Sequence, residues 1–465
     1  MADTNELLPE EVDEQHQRLV RNLRLMYRAD GQKAQHLARV HQRLLNNEGS
    51  LHPLPGHEAP DIQQSSRDVK PTRSPIIERR PWRHRLSMMA AVLVAAAVVS
   101  SLLFVLNLSH RSSPGSSTKP IIVRGLNTLL SIHMIDASTG WARTARAVLR
   151  TTDGGVHWKN VTPAGATLTQ DSIADFPTAS IASIGTSLPD GATTQVLHTA
   201  DGGLSWQQAT IQMPFPRQIS FIDGQRGWIL AAVRSLGGPA EPVAVFRTTD
   251  GGKTWMNVAT ALFSDATPPG KLPYGGQKSG MHFLDASTGW VTGTVFLSDL
   301  AWLYVTHDGG STWQPQSLLM PPGVPSARLS ILSPTFFSTA DGVLPVIFSN
   351  TTTDTAIATV VYTTHDGGRS WQSTAPLAAA LPLLSFAEMQ HGWATDGTVL
   401  YSTGDGGQHW IKLSPSANFK KIAQIDFISA TVGWAIAPAT SNSFSSLLKT
   451  VDGGLTWTPV PSAIV

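Results

Sequence analysis

The sequence predicts an all-β fold: a seven-bladed β-propeller of four-stranded units, preceded by a short α-helical region and one transmembrane helix. Three observations carry this. One octapeptide recurs seven times between residues 151 and 457, a second short element recurs upstream of most copies, and residues 86–106 form a charge-free apolar run.

The octapeptide reads TTDGGVHW at 151–158, TADGGLSW at 199–206, TTDGGKTW at 248–255, THDGGSTW at 306–313, THDGGRSW at 364–371, TGDGGQHW at 403–410 and TVDGGLTW at 450–457. Its aspartates are Asp153, Asp201, Asp250, Asp308, Asp366, Asp405 and Asp452, separated by 48, 49, 58, 58, 39 and 47 residues. Its tryptophans are Trp158, Trp206, Trp255, Trp313, Trp371, Trp410 and Trp457. The carboxylate can accept backbone N–H bonds from its own tight turn. The paired glycines permit positive φ, where a Cβ would clash. The tryptophan opens the following strand and buries a large ring.

The second element is an apolar strand, a polar turn and Gly-Trp, ending at Trp141, Trp228, Trp290, Trp393 and Trp434. The fifth unit has Val343 in place of the tryptophan, and the second unit, around Ile181–Gly185, is degenerate. Each unit therefore reads strand A, turn, strand B, loop, strand C, box turn, strand D. Four short antiparallel strands per roughly 50 residues is the blade of a propeller.

These paired motifs resemble the Asp-box, or bacterial neuraminidase repeat, family, and within it the photosystem II assembly and stability factor group. The resemblance covers about 126–465. Sialidases, xyloglucan hydrolases and sortilin-type receptors are more distant relatives with the same box. The resemblance implies a propeller that assists a membrane-protein complex through its surface.

Hydrophobic residues make up 41% of the chain and charged residues 14%, with a net charge of +1. No global field favours nucleic acid, and none is expected as a partner. There is no cysteine, which excludes disulfides and thiolate metal sites. Residues 1–84 carry 13 Lys+Arg and 12 Asp+Glu, whereas 126–465 carry 17 and 21.

As a helix, the 86–106 run spans about 30 Å, the depth of a bilayer core. Arg73, Arg79, Arg80, Arg83 and Arg85 precede it, against Arg111 and Lys119 beyond it. The positive-inside rule places the N-terminus in the cytoplasm and the propeller outside the cell membrane. The domain reading is thus a cytoplasmic α-helical region at 1–47, a Pro/Ser/Arg-rich linker at 48–85, the membrane helix at 86–106, a second linker at 107–125 and the propeller at 126–465. Two amphipathic helices over about 8–46 either pack on each other or dock a cytoplasmic partner.

No catalytic, cofactor or metal site is expected. A calcium loop needs alternating acids and a closing Glu, which no box has. Other glycosidases need two flanking carboxylates. A sialidase-type site would need a Tyr–Glu pair and three arginines, and 126–465 holds only Glu241 and Glu388 as glutamates. Asp136, Asp223 and Asp285 recur at the A–B turn and read as structural. The chain reads as a protein-binding scaffold or assembly factor. The alternatives are a ligand sensor signalling to the cytoplasmic helices and a sialidase-like glycosidase.

Strand arithmetic places A–B and box turns at one end of each unit and B–C and D–A loops at the other. The long spacings put insertions at 258–280, 314–330 and 349–355, all at the end opposite the boxes. Phe263, Lys271, Tyr274, Lys278, Leu319, Met320 and Arg328 are the candidate partner-binding residues, as apolar groups mixed with cations suit a protein surface.

Overall fold

The computed structural model describes residues 128–232, 240–261, 269–416, 421–437 and 446–465. The expected helices over 8–46, the 86–106 span, both linkers and Phe263 fall outside these residues. Among the described residues no helix is long and apolar enough to cross a membrane.

The described strands form six sheets, all antiparallel except for one short pairing. Four hold four strands in sequence order. A nine-stranded sheet is two such meanders joined at Thr294↔Ser330. In the remaining sheet Ala463–Ile464 adds in parallel to His157–Asn160, outside the first meander. Divided at Thr294↔Ser330, the described strands make consecutive four-stranded units, each with one box and numbered in chain order. In unit five the first strand is broken into Arg328–Ile331 and Thr335–Phe336. Pro334, which has no N–H to give to the ladder, lies in the gap.

Each unit's ends are fixed by one repeated hydrogen bond. The first box glycine donates its N–H to the A–B turn: Gly154 to Ser138 O (2.7 Å), Gly202 to Ser180, Gly251 to Gln225, Gly309 to Ser287, Gly367 to Ala340, Gly406 to Gln390 and Gly453 to Thr431. Box turns and A–B turns therefore share one end of every unit, as the strand arithmetic requires.

A single sheet leaves both faces apolar, so it has to stack. Apolar clusters join neighbours throughout. Trp141 and Val148 of unit one pack with Phe176 and Leu197 of unit two, and Val196 packs with Phe221 of unit three. Units three and four, four and five, five and six, and six and seven share further clusters. Trp434 and Leu447 of unit seven pack with Ile132 and Trp158 of unit one. The succession of sheets closes on itself, which is a β-propeller.

The most regular contact at these junctions is aromatic. Trp228 stacks on Phe283 of the next unit at 3.8 Å, and Trp393 stacks on Phe427 at 3.7 Å. The same indoles donate Nε1–H to the next unit's box, at Gly309 O (2.9 Å) and Gly453 O (2.8 Å). Each phenylalanine then meets its own unit's box tryptophan edge-on, as in Phe283–Trp313 and Phe427–Trp457. The ring leaves no room for a Cβ at the Gly of Gly-Trp: one built on Gly392 would lie 2.4 Å from Phe386. In unit two, Ser183 takes the tryptophan position. Beside it His198, bonded to Ser183 Oγ at 2.9 Å, stacks on Phe221 at 4.2 Å.

The insertions are narrower than their spacing suggests. Met256–Ala261 and Gln277–Phe283 are strands. Between them Leu272 is buried, and Gly270 O and Gly275 O accept from Trp313 N and Trp302 Nε1. The insertion at 258–280 is therefore not all loop, because its described parts hold units three and four together.

Trp228→Ala removes a buried indole, its stack and its cross-unit bond. A loss of about 3–5 kcal/mol is expected, read as a lower urea midpoint at unchanged m-value.

Candidate functional surfaces

The boxes are closed on themselves. In each, the aspartate Oδ1 accepts the N–H four residues on and the hydroxyl of the opening threonine; in the third box these are Thr254 N (3.0 Å) and Thr248 Oγ1 (2.8 Å). Oδ2 accepts a Ser or Thr hydroxyl, or meets His157 and His409 Nδ1 at 2.6 and 2.7 Å. The opening threonine in turn accepts the second glycine's N–H, as Gly252 N to Thr248 Oγ1 at 3.0 Å.

These donors hold the carboxylates below their ordinary value of 3.8. Asp201, Asp250, Asp366 and Asp452 lie at about 2, first through the hydroxyls of Ser205, Thr254, Ser370 and Thr456. Asp153 and Asp405 lie at about 2, first through the backbone N–H of His157 and His409. In Asp308 burial pushes upward, but the Thr312 hydroxyl and N–H prevail and lower it. The opening threonines are all buried. Their role was missed from sequence, although a Thr opens every copy. Asp136, Asp223 and Asp285 likewise accept N–H groups of their own turns.

The first strands form a second polar array. The residue before the aromatic or Met position is polar in every unit: His133, Asp175, Ser220, His282, Thr335, Ser385 and Asp426. These strands are sheet edges with unpaired N–H groups, and the side chain of one unit satisfies the next. Asp426 accepts from Met134 N (2.6 Å), Asp175 from Phe221 N (2.8 Å), Ser385 from Phe427 N (2.8 Å) and Ser220 from Phe283 N (3.2 Å). Burial raises Asp175 to about 6 and also raises Asp426. Burial lowers His282 to about 4. Sequence reading overlooked this array too, because a lone polar residue in a strand looks like ordinary alternation.

The expected partner-binding residues that are described are not one exposed set. Lys278 is a correction. It is fully buried in the first strand of unit four, not in a loop. Its ammonium donates to the carbonyls of Glu241, Tyr274, Gly275 and Gly276 at 2.6–3.1 Å. Burial lowers its pKa to about 7, with Glu241 opposing. Glu241 also pairs with Arg217 at 2.5 Å. A cation this enclosed orders the 274–276 loop and is not available to a partner.

Arg328 pairs with Asp354 and lies over Phe296 at 5.3 Å. Tyr274 and Met320 are half-buried, Met320 against the cluster of units four and five. Lys271 is exposed and Leu319 is 80% exposed. The Leu319 backbone is fixed, since Tyr362 Oη donates to its carbonyl at 2.8 Å. Asp299 binds Ala327 and Ser326 across the loops, so units four and five present one continuous rim here. Among the described residues no group of three His, Asp or Glu side chains is placed to hold a metal ion.

Closed box turns on a cyclic succession of four-stranded sheets define an Asp-box β-propeller. Within that class the chain resembles the photosystem II assembly factor group. Residues 117–262 match the family model described as Photosynthesis system II assembly factor YCF48. Photosystem II assembly lipoprotein Ycf48 of Synechococcus sp. (strain CC9902) is 27% identical over 128 residues, 27% of this chain. The match spans 31% of that relative's length. Among solved structures, YCF48 bound to D1 peptide is 19% identical with a TM-score of 0.46, covering 73% of this chain and 99% of that one. YCF48 from Cyanidioschyzon merolae is 18% identical, TM-score 0.37, covering 63% and 88%. The GH74 xyloglucanase from Xanthomonas campestris is 15% identical, TM-score 0.48, covering 72% and 54%.

Two pH effects of opposite sign follow. The box carboxylates have depressed folded-state values, so their stabilisation is present above about 4 and lost as pH falls toward 2. Asp308→Ala should lower stability by about 0.5–2 kcal/mol, the cost of losing a side-chain cap on backbone N–H, and this loss should shrink in unfolding titrations as acid protonates the carboxylate. Asp175 is raised, so its effect on stability falls as pH rises from about 4 to about 6. Asp175→Asn keeps the acceptor for Phe221 N and should flatten that portion of the stability–pH curve. An unchanged curve would remove Asp175 from the account.

Proposed function

We propose that this chain is a membrane-tethered, seven-bladed propeller that binds protein and assists assembly of a membrane-protein complex, as the assembly-factor likeness of residues 117–262 suggests. In this reading 1–47 is a cytoplasmic helical region with its own partner, 48–85 a linker, 86–106 the anchor, 107–125 an outer linker and 126–465 the propeller. The charge-free run at 86–106 and the arginines before it support an anchor with the propeller outside. The curated relative is named a lipoprotein, a different covalent solution to the same tethering. We read the chain as not an enzyme, since the repeated acids are engaged by their own turns or by neighbouring backbone. The observation that supports the binding role is the exposed Leu319, displayed on a backbone fixed by Tyr362 Oη, with Lys271 exposed as well. Phe263, Lys271, Tyr274, Leu319, Met320 and Arg328 remain its candidate residues. Lys278 fixes the backbone at Tyr274 through that carbonyl.

Pull-downs with the propeller and, separately, with residues 1–84 would identify the partners. Leu319→Asp combined with Lys271→Glu should leave the melting temperature within a degree or two and reduce recovery of the propeller's partner at least tenfold. Full recovery would move the binding site to the box end or to the first-strand edge. Protease added to intact cells should digest the propeller and spare 1–84, and protection of the propeller would overturn the topology.

A further inference from the structure

At several junctions a side chain of one unit reaches the A–B turn of the next. Arg150, Arg247 and Lys449 pair in the ladder with Trp141, Trp228 and Trp434 and lie over those indoles at 4.7–5.7 Å. His198 holds the same ladder position, opposite Ser183. Arg150 Nε donates to Ala179 O at 3.2 Å, Lys449 Nζ donates to Ala137 O at 3.5 Å, and His198 Nε2 meets Gly224 O at 3.2 Å. Arg247 lies against Gly309 of the next box, where a Cβ would stand 2.7 Å from its Nη1 and 2.8 Å from Ala286 O. Ala137, Ala179, Gly224 and Ala286 are equivalent, since each precedes the turn residue that accepts the first box glycine's N–H. The repeat thus sets its own cation or imidazole beside one recurring carbonyl.

Between units four and five that side chain is missing. Val305 takes the ladder position opposite Trp290 and packs in the same apolar cluster. The equivalent carbonyl is that of Thr339, because Ala340 O accepts from Gly367 N. A cavity of about 470 Å³ opens at this place. Asp285 and His307 of unit four line it with Thr339, His365, Asp366 and Arg369 of unit five. Units five and six carry Thr363 and Ser402 at the ladder position, so the cavity, and not the missing cation alone, marks this junction. His307 and His365 are the second residues of their boxes, and no other copy has histidine there. The wall is acidic. The Ser370 hydroxyl holds Asp366 at about 2. Burial pushes Asp285 upward, but the Ser287 hydroxyl and the N–H groups of Thr288 and Ser287 outweigh it and keep the carboxylate ionised. Asp341 pairs with His365 at 2.7 Å. Arg369 is exposed, and its place three residues past the box aspartate is that of exposed Leu204 and Leu455 in other copies, not that of Arg150.

We propose that this cavity receives an arginine or lysine side chain of a protein partner, which takes beside Thr339 the place that Arg150, Arg247 and Lys449 fill from within the chain at other junctions. Opposite charge on the two sides gives such a contact its specificity. A guanidinium is the better fit, since its planar fork serves carbonyl and carboxylate acceptors together. The site is separate from the Leu319 surface, and its test does not depend on that reading.

Full-length protein in a nonionic detergent would be titrated against tetra-arginine and tetra-glutamate peptides carrying an uncharged dye, read by fluorescence anisotropy. The arginine peptide should bind at least tenfold tighter than the glutamate peptide. Val305→Arg supplies the missing side chain from within and should weaken arginine-peptide binding at least tenfold. Thr363→Arg adds the same charge at the same ladder position one unit further on, and should leave binding within twofold. If Val305→Arg does not fold, Asp285→Asn, which keeps the turn's acceptor and removes its charge, should weaken binding at least threefold. Arginine-peptide binding that is absent, that falls equally in both arginine variants, or that survives Val305→Arg or Asp285→Asn unchanged would overturn the proposal. A preference for tetra-glutamate would assign the cavity to Arg369 and the two histidines, and would overturn it as well.

Discussion

The fold depends on each sheet's need to bury both faces, met by an aromatic contact that crosses from one unit to the next. An indole from one second strand lies flat on the phenylalanine of the following first strand and reaches its box with Nε1–H. That phenylalanine rests edge-on against its own box tryptophan. One interaction thus aligns a strand, its neighbour and a turn. The last sheet meets the first through Trp434, Ile132 and Met134, and Ala463–Ile464 adds a parallel edge to His157–Asn160.

The exceptions show what the contact requires. Unit two replaces the tryptophan with Ser183 and supplies a flat ring from the adjacent strand, His198, so the stack survives with a different donor. Unit five has Val343, and its cluster is completed by Val361 and Met389. A flat or bulky apolar group is what the site demands, and its covalent source is negotiable. The glycine before the tryptophan is less so, because the ring of the preceding strand occupies the place of a side chain.

Edges impose the other constraint. First strands expose N–H groups that would otherwise invite pairing with foreign strands. Here the chain answers with one polar side chain per unit, several of them bonded to the next unit's backbone. The two acids in this role are raised by burial while the box acids are lowered by their donors. Carboxylates of one chain thus respond to pH in opposite directions, according to whether hydrogen bonds or desolvation dominates. Both arrays engage their acids with backbone N–H groups.

The sequence by itself determined the strands, the box turns and which turns share an end. These are local: D-G-G closes on its own carboxylate, and strand alternation fixes which connections lie together. Leu319 and Lys271, named from the insertions as candidate binding residues, are exposed. Tertiary structure alone decided the rest. Lys278 reads as a loop cation, yet packing against Trp302 and four carbonyls buries it. Residues 258–280 read as a loop insertion, yet their ends are ladder strands and Leu272 packs in the cluster shared by units three and four. The first-strand polar array and the substitution of His198 for a tryptophan are equally invisible in one dimension. Each joins residues of different sheets, and the distance between sheets is set by stacking, which no local propensity encodes.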